Sequence, residues 1–352
     1  MPRTQRLFTA LTPLFLLLLC VIAPGGCTCS SPPLPSPHQI RLCQTHTPGR
    51  PTQPSSHRGT KTVSAGTMAG TFGTTSTGEA TYSLPLVTVP GRASVEPQLA
   101  LTYSSAGDDG VVGVGFSLAG LSSIARCAGN LADDGEIRGV RYDANDKLCL
   151  DGKRLVPVGQ QPGLVEYRTL PDTFTKVVGH YPVGKEATES AISFEAHLPS
   201  GLVIEYGARE SERPLAKNGA PRAWLSTKVH DGRGNAMSYT YCFADEDGYA
   251  AEVALDEIRY TSFEGAPAQE PSRAVKFVYG IKDAADLRIL YSGGMALQRS
   301  LRLDEIEMLG PADALVRRYG LTYELGPTTQ RTRLTEIEEC AGDGVCKPPT
   351  RF

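Results

Sequence analysis

The sequence predicts an all-β protein made of antiparallel, hairpin-rich sheets, and three observations predict it. Apolar residues alternate with polar ones over short runs, as in Ile192, Phe194, Ala196 and Leu198, then Leu202, Ile204 and Tyr206. Gly, Asp and Asn punctuate those runs at hairpin spacing, for example Pro199-Ser200-Gly201 and the stretch from His230 to Asn235. The composition agrees, because 37 Gly, 26 Pro and 14 Tyr with only 21% charged residues in 352 suit a turn-rich β protein. No stretch keeps a helical 3.6 period for long.

The chain opens on an export signal. Arg3 and Arg6 precede the apolar run from Leu14 to Ile22, and small residues follow up to Cys27. Thr9, Thr12 and Pro13 shorten the run below the about 20 residues that a membrane span needs. Ala23-Pro24-Gly25-Gly26-Cys27 resembles a lipobox, which makes Cys27 a candidate for lipidation, although Pro24 stands where such boxes carry Leu. The leader is therefore residues 1–27. Residues 28–62 are rich in Pro, Ser and Thr ("SSPPLPSPHQ", "HTPGRPTQPSSHRGTK") and bury too little to offset their ordering entropy, so they read as an extended linker. The β domain occupies 63–352.

Within it, Leu99, Leu101 and Tyr103 alternate as a strand, and Asp108-Asp109-Gly110 turns the chain. The following Gly110, Gly113 and Gly115 superficially match a dinucleotide loop, but no helix and no acidic residue about 20 positions on complete that motif. These glycines instead let backbone pass close to backbone. Trp224 to Val229 and Met237, Tyr239 and Tyr241 form a second hairpin about the turn at 230–235. Val275 to Ile281 and Tyr319 to Leu325 add further alternating strands.

Export places the chain where disulfides survive. Loss of Cys20 with the leader leaves eight of the nine cysteines. Cys340 and Cys346 flank "AGDGV", whose glycines allow a loop tight enough for the about 5.5 Å Cα separation of a bridge; Cys127 with Cys149 is the second candidate. Zinc is the competing use of clustered cysteines, but there is no pair of C-x-x-C elements. A net charge of -3 and no basic run with interleaved aromatics argue against nucleic acid as a partner.

The blocks "GTFGTTSTGEATYSLPLVTVPGR" (70–92), "PQLALTYSSAGDDGVVGVGFSLAGLSSIARC" (97–127), "KLCLDGKRL" (147–155), "WLSTKVHDGRGNAMSYTY" (224–241) and the segment from Arg317 through "KPPTRF" (347–352) resemble the SpvB-type N-terminal domain. That domain is shared by SpvB virulence proteins, the B components of Tc toxins and Rhs/YD-repeat relatives. The resemblance covers about 63–352, with Phe116 where the pattern has Trp. It implies sheets wound into a hollow Rhs/Tc-type β shell, and a non-catalytic structural or encapsulating module of an exported toxin or virulence protein. Its implied partners are a continuation of the shell or other toxin-complex subunits, with membrane contact only through a lipidated Cys27. Location is then secreted, or alternatively at the cell envelope as a lipoprotein binding module. Because larger relatives continue beyond the "KPPTRF" block, the resemblance implies a shell that this chain alone does not close.

SpvB couples the domain to an ADP-ribosyltransferase, whose Ser-Thr-Ser and Glu-x-Glu signatures have fragmentary matches in Thr75-Ser76-Thr77, Glu305-Ile306-Glu307 and Glu336-Ile337-Glu338. Each is better read as one polar face of a strand. His180, His197 and His230 lack a nucleophile motif and read as surface or turn residues. Asp143-Ala144-Asn145-Asp146 starts like a calcium loop but lacks its Gly and Glu, and reads as a solvated turn. The sequence therefore names no catalytic residue, cofactor or metal ligand, and an enzyme ranks third after the shell module and the binding module.

Overall fold

The computed structural model describes Cys43 and residues 66–352, apart from Ala187 and 244–251. The leader with Cys27, and the linker apart from Cys43, lie outside the described residues. The first strands are β1 (Thr71–Thr74), β2 (Ala80–Pro85), β3 (Ala100–Ser104), the two-residue rungs β4 (Asp109–Gly110) and β5 (Gly113–Val114), and β6 (Phe116–Ala119). They form a small antiparallel sheet in the order β1-β2-β3-β6, with β4 and β5 as a separate hairpin. No helix follows the glycines; β6 does.

Next come β7 (Ser123–Cys127), β8 (Lys147–Leu150), β9 (Lys153–Gln161), β10 (Leu164–Leu170), β11 (Lys176–His180), β12 (Ser193–His197), β13 (Leu202–Tyr206) and β14 (Ala223–Asp231). Each pairs antiparallel with the next through β13; β13 pairs with β14, and β14 returns to β7. These eight strands thus close into a ring, whose members have no outer strand among them. An eight-stranded ring is just wide enough for side chains to fill. Strict alternation supplies them: β10 buries Val165, Tyr167 and Thr169, and β11 and β12 bury Val177, Phe194 and Ala196. Trp224 completes the filling, its indole donating to Ala191 O at 3.0 Å and meeting Phe194 edge-on at 5.0 Å.

Arg126 reaches out of β7 and is saturated by its neighbours. It donates to Pro221 O at 2.7 Å, to Asp143 O at 2.6 Å and to Ser190 Oγ at 2.7 Å, and pairs with Asp146 at 3.3 Å. Asp146 also binds Arg138 at 2.9 Å, and its side chain is 0% exposed. The stretch 143–146 is a turn with Ala144 and Asn145 exposed, as expected, but Asp146 departs from that reading: its side chain is buried because Arg126 and Arg138 converge on it.

The sheet then leaves the ring through β15 (Asn235–Phe243), β16 (Val253–Phe263), β17 (Arg273–Ile281), β20 (Leu301–Leu309), β21 (Leu315–Leu325), β22 (Thr332–Ala341) and β23 (Thr350–Arg351), while β18 (Arg288–Ser292) and β19 (Met295–Arg299) form a separate hairpin. Ring and extension make one fifteen-stranded sheet. The small sheet packs on this wall: Leu84, Leu101 and Val112 share a core with Ile258, Leu303 and Ile337. Gly113 makes the approach possible, since it sits at φ +85° and a Cβ there would lie 2.7 Å from Thr332 O. Tyrosine hydroxyls tie the layers, with Val87 N donating to Tyr319 Oη at 2.9 Å and Tyr260 Oη donating to Val89 O at 2.8 Å. Beyond β22, residues 345–352 run back along it, joined by Lys347 N to Glu339 O at 2.8 Å and Phe352 N to Thr335 O at 3.0 Å. Pro348 and Pro349 remove two donors from that outer segment.

Burial pushes the Tyr239 and Tyr260 phenols up to about 12, and raises those of Tyr279 and Tyr323 well above their ordinary value. A phenol whose folded value lies above its ordinary 10.0 contributes stability that is whole below pH 10 and is lost as the pH rises through the folded value. In an alkaline titration, phenolate absorbance from this group should appear together with loss of the β circular-dichroism signal. Complete ionisation near pH 10 with the fold intact would contradict the burial.

Candidate functional site: an aromatic ladder on the small sheet

Directly opposed residues of an antiparallel pair share one face. The registers Phe72↔Tyr82, Tyr82↔Tyr103 and Tyr103↔Phe116 therefore set four aromatic residues in a row across β1, β2, β3 and β6. Exposure falls along the row, from 70% at Phe72 to 6% at Phe116. Tyr103 and Phe116 lie 5.0 Å apart between ring centroids, and Phe352 rests against Phe116 at 4.8 Å and Tyr82 at 5.6 Å. Gly115 gives the ladder its floor: it adopts φ +77°, and a Cβ would sit 2.5 Å from the Tyr103 ring.

The ladder lines an open groove of about 680 Å³ together with Thr102, Ser117, Asp108 and Arg299. Asp108 accepts from Asp109 N at 2.8 Å and from Arg299 Nη1 at 3.0 Å, and these bonds hold its carboxyl below the usual carboxylate value. Chemically the groove offers ring faces, hydroxyls and one ion pair, groups able to pack against apolar or ring-shaped moieties. The sequence contained all four aromatics but not their register, which depends on strand pairing.

The residues singled out from sequence lie elsewhere. Cys127 is bridged to Cys149 (S–S 2.05 Å, Cα–Cα 5.9 Å), stapling β7 to β8, and Cys340 is bridged to Cys346 (S–S 2.02 Å) across the turn after β22. Sequence reasoning missed a third bridge, Cys43–Cys242, which ties a point of the 28–62 segment to β15 over 199 residues. Glu338, Cys340 and Cys346 place possible ligand atoms within 4.8 Å of one another, but both sulfurs are committed to the bridge. Thr75 and Thr77 bond each other at 2.8 Å in the β1–β2 turn, while Glu305 pairs with Arg318 at 3.3 Å on the wall and Glu336 with Arg351 at 3.0 Å. His180 and His197 both face Glu195, at 3.4 and 3.5 Å, and His230 faces Glu205 at 3.5 Å. These histidines are surface residues, as expected, and they sit on the polar faces of ring strands and not in turns.

A ring of eight strands running into an open antiparallel wall, with a small sheet laid on it, defines the class: an all-β module built on one large antiparallel sheet. The sequence matches the family model described as Salmonella virulence plasmid 65kDa B protein (SpvB) over residues 74–284, and the chain belongs to that family. Its fold is similar to the crystal structure of TcdB2-TccC3 (TM-score 0.65, 17% identity), over 92% of this chain and 17% of that one. It is similar too to the N-terminal domain of the effector protein SpvB from Salmonella typhimurium strain LT2 (TM-score 0.57, 20% identity), over 73% of this chain and 99% of that one. The chain thus spans about a sixth of the length of TcdB2-TccC3. No curated protein matches it by sequence.

The graded ladder predicts unequal substitutions. Phe116→Ala should cost about 3–5 kcal/mol, as for a buried Phe, and Phe72→Ala about 0.5 kcal/mol or less, read from urea midpoints of the full chain. Equal effects would show that the row is not buried at one end and open at the other.

Proposed function

We propose that this chain is a non-catalytic structural or encapsulating module of an exported Rhs/Tc-like toxin or virulence protein, with a leader at 1–27, a linker at 28–62 and the β domain at 63–352. The observation that carries this reading is the continuous fifteen-stranded antiparallel sheet. Its ring end closes on itself, and its other end spreads as a wall that offers faces and an edge to a neighbour. The fold likeness to TcdB2-TccC3 supports the same reading. On this view the partners are further shell or other toxin-complex subunits; the chemistry needs no cofactor, and the protein works outside the cytoplasm.

The exposed end of the aromatic ladder favours a second reading, a cell-envelope binding module tethered through Cys27. Size-exclusion chromatography with light scattering, on the full chain with and without the product of an adjacent toxin-component reading frame, separates the two. A stoichiometric complex is expected. A monomer indifferent to that product would contradict the shell role, and a diacylglyceryl group on Cys27 by mass spectrometry would then select the tethered module.

A further inference from the structure

Lys282 stands immediately after β17, with its side chain 0% exposed. Its Nζ lies 2.7 Å from Asp109 Oδ1 in β4 and 3.8 Å from Asp286 Oδ2, and those two side chains are 3% and 0% exposed. As an ion cluster the site is poorly served. The ammonium donates a hydrogen bond to Asp109 alone among the described residues. Asp109 Oδ2 and Asp286 Oδ1 accept none, their nearest cations being Arg331 at 3.5 Å and Arg288 at 4.0 Å. Asp286 Oδ2 is held by Thr332 N at 2.9 Å, which fixes that carboxyl beside the pair. Glu252, a half-buried carboxylate near Lys282, is committed to Ser300 N at 2.7 Å and Leu301 N at 2.9 Å.

Buried charges with unmet partners are costly, and a buried amide is neutral with far smaller needs. A nucleophile and a carboxyl carbon held in contact also react as one molecule, with a very large effective concentration. We propose that Lys282 and Asp109 condense into an intramolecular isopeptide bond, with Asp286 carrying the protons. A proton passes from the ammonium to the Asp109 carboxyl, and the freed amine attacks Asp109 Cγ. Asp286 takes a proton from the nitrogen and delivers it to the departing hydroxyl. One C–N bond forms, one C–O bond breaks and one water leaves, with no change of oxidation state. Asp286 ends as it began. The bond clamps the glycine-rich segment, and with it the small sheet, to the wall across a separation of 173 residues.

Tryptic mapping of the full chain, denatured and reduced, tests this directly. Expected is a branched peptide in which residues 93–126 are joined to 277–288, lighter by one water than the two together. The join is the diagnostic, because Asp109-Gly110 can lose water within its own chain. Separate linear peptides 93–126 and 277–282 in the native sequence would overturn the bond. Lys282→Arg keeps the charge but should yield only linear peptides. Asp286→Asn should leave most of the product unjoined, and complete joining in that variant would overturn the proton-carrying role of Asp286.

Discussion

One strand has to serve both the ring and the wall of the large sheet, and the rest of the structure depends on it. β14 pairs with β7 over Ala223–Leu225, with β15 over Lys228–His230 and with β13 over Ser226–Asp231. Its side chains divide in the same way, since Trp224 fills the ring while Val229 belongs to the core of the wall. A register slip of one residue would turn every side chain to the opposite face, so both cores hold the same strand in place. The irregularity between Glu205 and Tyr206 of β13 absorbs the mismatch where one neighbour gives way to the next.

Polar groups do the fastening where apolar contact alone would leave elements free to slide. Arg126 draws three separate loop segments to the ring through four hydrogen-bonding and ionic side-chain contacts. Tyr260 and Tyr319 perform the same task between wall and small sheet, each presenting an apolar body to the core and a hydroxyl to the backbone of the other layer. The aromatic ladder is the exception. Its row begins inside this fastened structure at Phe116 and runs out to solvent at Phe72, so its inner end is paid for by packing while its outer end contributes little to stability. Large exposed aromatics of that kind are characteristic of contact surfaces.

Local elements were legible in the sequence, and long-range closure was not. The β12–β13 hairpin follows from alternation on both sides of Gly201, which adopts φ +84° in the turn. β14–β15 follows from Asp231, whose carboxylate accepts from Arg233 N at 2.8 Å and Asn235 N at 2.9 Å, as a turn-forming Asp does. The return of β14 to β7 joins residues about a hundred positions apart and leaves no local pattern, so the ring could not be read. The same distance problem hid the Cys43–Cys242 bridge and the register of the ladder. Asp146 misled for a different reason: it stands in a turn whose Ala144 and Asn145 are exposed, and only the convergence of Arg126 and Arg138 buries its carboxylate.

If β14 is the strand that both ring and wall require, its amides should open only when the molecule unfolds as a whole. Native-state hydrogen exchange across Ala223–Asp231 measures this most directly. The account predicts that the amides of Trp224, Ser226 and Val229 are among the slowest in the protein, with opening free energies equal to that of global unfolding, while those of β1 exchange far sooner. Exchange of β14 by a separate, low-energy opening, with the strands of the wall still protected, would contradict it.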